Sequence, residues 1–286
     1  VKTYITANEG FIKRTIDFVS FMISSLFFGL FAGKVDVVVG TSPQFFTVIS
    51  AWALALFKRV PFVFELRDVW PASITAVGAM RGSWIIKILE KLELFLYCQA
   101  DLIISVTHSF KLELQNRGVS ADKIKVVLNG VDLSKYKPLA EKDKKFSEKF
   151  QLQGKFVAGY IGTHGLAHAL DSIIEAAELL KGENNIRIVF AGGGADRSRL
   201  ERMVETRCLY NVVMIPRQPK ENMQKIWSLC DVSLVSLKDT PLFSTVIPSK
   251  IFESMAMKIP IIISVPEGES TEIVIPEKAG LIEPPE

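Results

Sequence analysis

Phe156 to Gly165, FVAGYIGTHG, and Ile186 to Gly194, IRIVFAGGG, are two short runs of apolar and β-branched residues that each end in glycine. Between them, Asp171 to Lys181 carries the apolar spacing of a helix. A buried strand, a helix and a second buried strand within roughly thirty to forty residues make a βαβ unit with parallel strands. The same rhythm continues downstream through a helix at Arg197 to Arg207, a strand at Val212 to Ile215, a helix at Lys220 to Leu229, a strand at Val232 to Leu237, a helix starting at Ser249 and a strand at Ile259 to Ser264. Upstream it runs from a strand at Val35 to Gly40, past a turn at Ser42-Pro43, into an apolar helix ending at Phe57 and a strand at Pro61 to Glu65. A helix at Trp84 to Gln99, a strand at Asp101 to Val106, a helix at Ser109 to Arg117 and a strand at Ile124 to Leu128 complete it. The expected class is α/β, with two tandem Rossmann-like doubly wound domains facing a cleft.

The stretch 131–154, VDLSKYKPLAEKDKKFSEKFQLQG, is strongly charged and poor in β-branched residues, so it reads as the linker between a domain at 1–130 and a second at 155–286. A length of 286 residues accommodates both, and 49% hydrophobic with 23% charged residues marks a folded chain with a real core. The net charge of +3 comes from 34 basic and 31 acidic side chains that are mostly interspersed, so no nucleic-acid partner is called for, while mild attraction to an anionic membrane is allowed. Cys98, Cys208 and Cys230 are odd in number and widely separated, which favours reduced thiols in a cytosol. No zinc-type spacing links His108, His164 and His168, so no metal is expected. Ile16 to Ala32 is the most apolar segment, 17 residues between Lys13-Arg14 and Lys34 with Asp17 near its start. That is at or below the lower limit of about 17 to 25 residues for a spanning helix. It also lacks a signal-peptide cleavage site. A buried or interdomain helix, a helix lying on a membrane surface, and a true span all stay open.

Candidate chemistry gathers at the carboxyl ends of the expected strands. In VIPSKIFESMA, Val246 to Ala256, Ser249 is placed to cap a helix, and Lys250 and Glu253 share one side of its first turns. Lys250 and the helix N-terminus suit an anion such as a diphosphate, and Glu253 suits a pair of sugar hydroxyls. The plain alternative is an ordinary capped helix with an exposed ion pair. The glycines of Gly162-Thr163-His164-Gly165 and Gly192-Gly193-Gly194 either bring backbone N–H groups close to a phosphate or serve tight turns at positive φ. Neither fits GxGxxG, which weakens a nicotinamide or flavin reading. Asp68, in a loop stiffened by Trp70 and Pro71, is a base, a hydroxyl acceptor or a turn cap. His108 and His164 occupy cleft-edge positions, and Arg217, beyond the Val212 to Ile215 strand, is placed to pair with a phosphate.

Taken together, Arg67-Asp68-Val69-Trp70-Pro71, Asn129-Gly130-Val131-Asp132, Gly162-Thr163-His164-Gly165, Ala191-Gly192-Gly193-Gly194, Cys230-Asp231-Val232 and Pro248-Ser249-Lys250 with Glu253-Ser254-Met255-Ala256 resemble the retaining family 4 glycosyltransferases of GT-B fold. Within that family the chain is most similar to bacterial O-antigen and capsule enzymes such as fucosamine transferases. The resemblance implies transfer of a sugar, without metal or cofactor, from a nucleotide-sugar donor of UDP type to a polyprenyl-diphosphate-linked acceptor, by a protein peripheral on the cytoplasmic face of the membrane. It implies donor contacts at Gly162, Thr163, Gly193, Arg217, Ser249, Lys250 and Glu253, and catalytic roles for Asp68, His164 and Lys250. Glu253 matches the second glutamate of the family's pair, whereas the first falls at Thr245, and the usual basic pair is absent near Gly162. Front-face attack is implied, with the leaving phosphate accepting the proton of the incoming hydroxyl. A GT-B fold sugar-nucleotide epimerase and an inactive nucleotide-binding relative are the alternatives. The resemblance also leads us to expect about 80 further residues at each end of the intact gene product, roughly two βα units.

Overall fold

A computed structural model describes residues 3–4, 11–69 and 84–285, with only the backbone described at 11–14 and 85. Trp70 and Pro71 of the Asp68 loop lie outside the described residues. The chain forms two compact units, Val1–Leu128 and Asn129–Glu286.

The first unit is built from α1 (Phe11–Phe31), β1 (Val38–Thr41), α2 (Phe45–Lys58), β2 (Phe62–Leu66), α3 (Trp84–Gln99), β3 (Leu102–Ser105), α4 (His108–Asn116) and β4 (Ile124–Val126). Its four strands are parallel, in the order β1-β2-β3-β4. Phe62, Phe64 and Leu66 alternate inward along β2, and Phe64 packs 4.8 Å from Tyr97 of α3, ring centroid to centroid. Thr107 caps α4 by accepting a hydrogen bond from the Phe110 N–H at 3.2 Å, as expected of a β-region hydroxyl before a helix. The apolar segment is a 21-residue helix that starts earlier than the hydropathy pattern indicates. It runs parallel to α2, joined by Ser25 to Ser50 at 3.0 Å and by the Lys58 ammonium, which donates to the carbonyls of Ala32 and Gly33. No helix among the described residues is long and apolar enough to cross a membrane.

The second unit contains α5 (Lys144–Lys149), β5 (Phe156–Thr163), α6 (Leu170–Leu179), β6 (Ile186–Gly193), α7 (Arg197–Thr206), β7 (Val212–Pro216), α8 (Met223–Trp227), β8 (Val232–Ser236), α9 (Lys250–Ala256), β9 (Ile261–Ser264), α10 (Glu269–Val274) and β10 (Gly280–Glu283). Its six parallel strands lie in the order β10-β9-β8-β5-β6-β7, the doubly wound order in which the chain leaves the first strand to one side and returns to its other side. Each face of the sheet is covered by its own apolar layer. One holds Leu152, Ile161, Ile215, Trp227 and Met257, the other Tyr160, Ile174, Phe190 and Leu200. Each fully buried large apolar side chain contributes on the order of 1.5 to 3 kcal/mol.

The charged stretch expected to be a linker belongs to the second unit. Tyr136, Phe146 and Phe150 pack onto the Trp227 layer, and Leu152 is fully buried. Asp143 caps α5, and Asp231 accepts hydrogen bonds from the Val157 N–H and the Lys142 ammonium, which ties the stretch to the start of β5. A few aromatic anchors hold down a segment whose charges face water.

Candidate functional site

The crossover between β5 and β8 is where ligands enter sheets of this order, because the loops leaving the two strands diverge there. The carboxyl ends of β5 and β6 meet unusually closely. Gly162 and Gly192 pair across the ladder at φ +149° and +148°, and a Cβ on Gly192 would lie 1.9 Å from the Gly162 carbonyl oxygen. A Cβ on Gly194 would lie 2.3 Å from the His164 carbonyl oxygen. The glycine-bounded turn expected after Ile161 is therefore two further residues of strand, with glycines chosen for close backbone approach. The His164 N–H donates to the Gly193 carbonyl at 2.9 Å, so it is not the phosphate donor the sequence offered.

Lys250 opens α9 and reaches across this crossover. Its side chain is buried, with Nζ 3.6 Å from the centroid of the Tyr160 ring and without a hydrogen-bond partner among the described residues. The ring face attracts the cation but cannot replace lost water. Burial consequently lowers the lysine pKa to about 7, against the opposing pull of Glu253. The helix is pinned in place by Ser254, whose hydroxyl donates to Ser233 of β8 at 2.8 Å. A Cβ on Gly162 would come within 3.3 Å of Nζ, so that glycine also clears room for the lysine.

Two imidazoles flank the same ring. His164 is fully buried against Tyr160 and Phe190, and neither ring nitrogen has a hydrogen-bond partner among the described residues. Burial first, then the charges of Arg197 and Lys250, lowers its pKa to about 4. His168, whose Nδ1 has no hydrogen-bond partner among the described residues, is lowered to about 3 by burial and then by Lys250. Both are neutral at neutral pH, so neither adds positive charge beside Lys250.

Ser249 does not cap α9. It sits in the first turn at φ −57°, ψ −25°, its carbonyl already accepting the Glu253 N–H, and its side chain makes no capping bond. Glu253 is not an isolated carboxylate. Its Oε2 accepts the Trp227 indole N–H at 3.0 Å, the Tyr136 hydroxyl also hydrogen-bonds to it, and burial raises its pKa. Thr163 is exposed, and exposed Arg217 leaves the end of β7 with its Cβ 3.9 Å from where a Gly193 Cβ would stand. Asp68 lies in the first unit, where its N–H donates to the Ser42 hydroxyl and its carbonyl accepts from it; exposed His108 begins α4. The fold therefore brings Gly162, His164 and Lys250 together, with Gly193, Arg217 and Glu253 in the same unit. Tyr160, His168, Trp227 and Tyr136 were not among the residues singled out from the sequence. The nearest signals were the alternation in β5 and the three aromatics, Tyr136, Phe146 and Phe150, set in the charged stretch. A cavity of about 330 Å³ beside α6 is lined by Asp171, Glu175, Asp239 and Lys238, a balance that disfavours an anion.

Residues 141–286 match the glycosyl transferases group 1 family model, and residues 5–135 match that of glycosyltransferase family 4. The colanic acid biosynthesis glycosyl transferase WcaI of Escherichia coli (strain K12) is 24% identical over 262 residues, covering 89% of this chain and 64% of WcaI. The glycosyltransferase WbjE of Pseudomonas aeruginosa is 25% identical, covering 86% of this chain and 61% of WbjE. The chain thus spans less than two thirds of the length of these relatives. Among solved structures, Anabaena Alr3699/HepE in complex with UDP-glucose superposes with a TM-score of 0.74 at 15% identity, over 96% of this chain and 70% of that one. Sucrose-phosphate synthase from Thermosynechococcus elongatus gives 0.72 at 18% identity, over 99% and 68%. The structural likeness shows the fold, two Rossmann-like domains. With a family model matching just over half of the sequence, the chain belongs to the glycosyl transferases group 1 family.

Proposed function

We propose that the second unit holds the donor of a retaining, metal-independent transferase that moves a sugar from a UDP-sugar to a polyprenyl-diphosphate-linked saccharide. The observation that carries this reading is the buried, unpartnered Lys250 ammonium at the strand crossover. An unsatisfied cation at that place is best completed by a diphosphate, and the lysine stem is long enough to swing from the Tyr160 face to it. Arg217, at the end of β7, adds a second charge, and Glu253 takes the ribose. Solved HepE complexes with UDP and UDP-glucose support the uridine donor. The colanic acid and teichuronic acid names of WcaI and of TuaH from Bacillus subtilis support a surface-polysaccharide product.

In this reading, the bond from the anomeric carbon to the diphosphate oxygen breaks with its electrons passing to the diphosphate, and Lys250 and Arg217 stabilise that charge. The acceptor hydroxyl attacks the same face and its proton passes to the departing phosphate oxygen. Asp68 orients the acceptor. His164 is neutral, so it shapes the wall behind Lys250 and adds no charge. Peripheral membrane contact, on the cytoplasmic side, is assigned to the ends of α1 and α2, where Phe28, Phe31 and Phe57 are 51%, 75% and 68% exposed beside Lys34, Lys58 and Arg59.

The test incubates the protein with labelled UDP-sugars, with and without a polyprenyl-diphosphate-linked saccharide, and determines the product anomer by NMR. Acceptor-dependent transfer with retained configuration is expected. A new sugar nucleotide formed from donor alone would make it an epimerase, and inversion would refute the mechanism. Co-sedimentation with anionic vesicles, lost on Phe31→Ser with Phe57→Ser, tests the membrane contact.

A further inference from the structure

Glu253 lies one turn beyond Lys250 on α9 and is held by two donors from two other parts of the unit. The Trp227 indole, on the fully buried last residue of α8, donates to Oε2 at 3.0 Å. The Tyr136 hydroxyl comes from the stretch that opens the second unit and packs on the same apolar layer as Trp227. Burial, and then the neighbouring Glu253, pushes the Tyr136 pKa up to about 12, so the phenol keeps its proton and acts as donor. A buried indole needs one acceptor, and one donor would satisfy that pairing. The second donor restrains the carboxylate further. An ionised carboxylate offers about four lone-pair sites. Two fixed donors leave about two, which is the number a vicinal diol requires.

We propose that Tyr136 is a positioning residue for nucleotide recognition: with Trp227 it fixes the Glu253 carboxylate so that its remaining lone pairs accept both ribose hydroxyls of the donor. The proposal rests on the nucleotide-sugar reading above. It makes the charged stretch at 131–154 part of the binding site, through an aromatic residue that touches no ligand itself.

The test measures calorimetric affinities of the wild-type chain, Tyr136→Phe and Glu253→Gln for UDP and for 2′,3′-dideoxy-UDP, which lacks the diol. Tyr136→Phe keeps the ring in the apolar layer and removes only the hydroxyl. The wild type should prefer UDP. Tyr136→Phe should weaken UDP by about 3- to 10-fold while leaving dideoxy-UDP unchanged, so the preference narrows. Glu253→Gln should narrow it further. A general loss of packing would lower both affinities together, and that outcome, or no change in either, overturns the proposal. If Glu253→Gln narrows the preference and Tyr136→Phe does not, the proposal falls while the nucleotide reading stands. A wild type that binds neither nucleotide, or both equally, removes the ribose role of Glu253 and the proposal with it.

Discussion

Replacing Lys250 by methionine should make the second unit more stable while removing its hold on a diphosphate. A lysine ordinarily gives up its proton near pH 10.5, and Lys250 does so at about 7 because its ammonium is buried without a partner. At about 1.4 kcal/mol per pH unit, the difference corresponds to about 4 kcal/mol of stability forgone at neutral pH. Methionine keeps the unbranched shape, and its sulfur packs on Tyr160 in place of the ammonium, so only about 1 kcal/mol of cation–π attraction is lost against that gain. A net stabilisation of about 3 kcal/mol is the expected outcome. The sign with pH follows from proton counting. Between the folded and unfolded pKa values the unfolded chain holds one more proton at this residue, so the wild type gains stability as pH rises from about 7 to 10.5, and below about 7 the full penalty applies. Urea denaturation of both chains, without nucleotide, near pH 7 and near about pH 9.5 reads this directly. Lys250→Met should be the more stable near neutrality, with the gap closing toward alkaline pH. A variant less stable than wild type at neutral pH, or a gap independent of pH, would refute the argument that this ammonium is buried and unsatisfied.

Further expectations concern the frame around the site. Gly192→Ala should cost more than about 3 kcal/mol, since its Cβ would meet the Gly162 carbonyl at φ +148°, whereas Gly182→Ala, with open space around it, should stay within about 0.5 kcal/mol; thermal melts of the two variants check the contrast. Asp231→Ala should cost about 1 to 3 kcal/mol and speed amide exchange across 142–157, because it removes the acceptor shared by Val157 and Lys142. In the first unit, Glu93 is buried between Tyr97, which donates at 2.7 Å, and Arg117 at 2.8 Å, and burial raises its pKa. Arg117→Met should therefore cost about 3 kcal/mol at neutral pH, with the loss shrinking on acidification as Glu93 takes up a proton; denaturation at two pH values would show whether it does.

The alternation of short apolar strands with helices was legible because parallel sheets bury both faces of every strand, and the Trp84 helix was placed to the residue. The common helix of Lys250 and Glu253 was legible for a similar reason, since spacing alone decides which residues share a turn. Their electrostatics were not. Whether a lysine meets water or an aromatic ring depends on Tyr160, some ninety residues earlier on strand β5. Glycine spacing likewise could not distinguish a tight turn from two strand ends pressed together, because both demand positive φ. The charged stretch misled in a specific way: composition is dominated by the side chains that face water, whereas Tyr136, Phe146 and Leu152 decide where the segment packs. The last helix and strand, α10 and β10, are six and four residues long and flanked by Gly268, Pro276 and Pro284, too short for periodicity to register.

The central claim, that Lys250 is the diphosphate cation of a nucleotide-sugar site, is tested most directly by calorimetric titration of the wild-type chain and Lys250→Met with UDP and UMP. The wild type should bind UDP more tightly than UMP, and the methionine variant, though stably folded, should lose that preference. A Lys250→Met chain that still favours UDP over UMP as strongly as the wild type would contradict the claim.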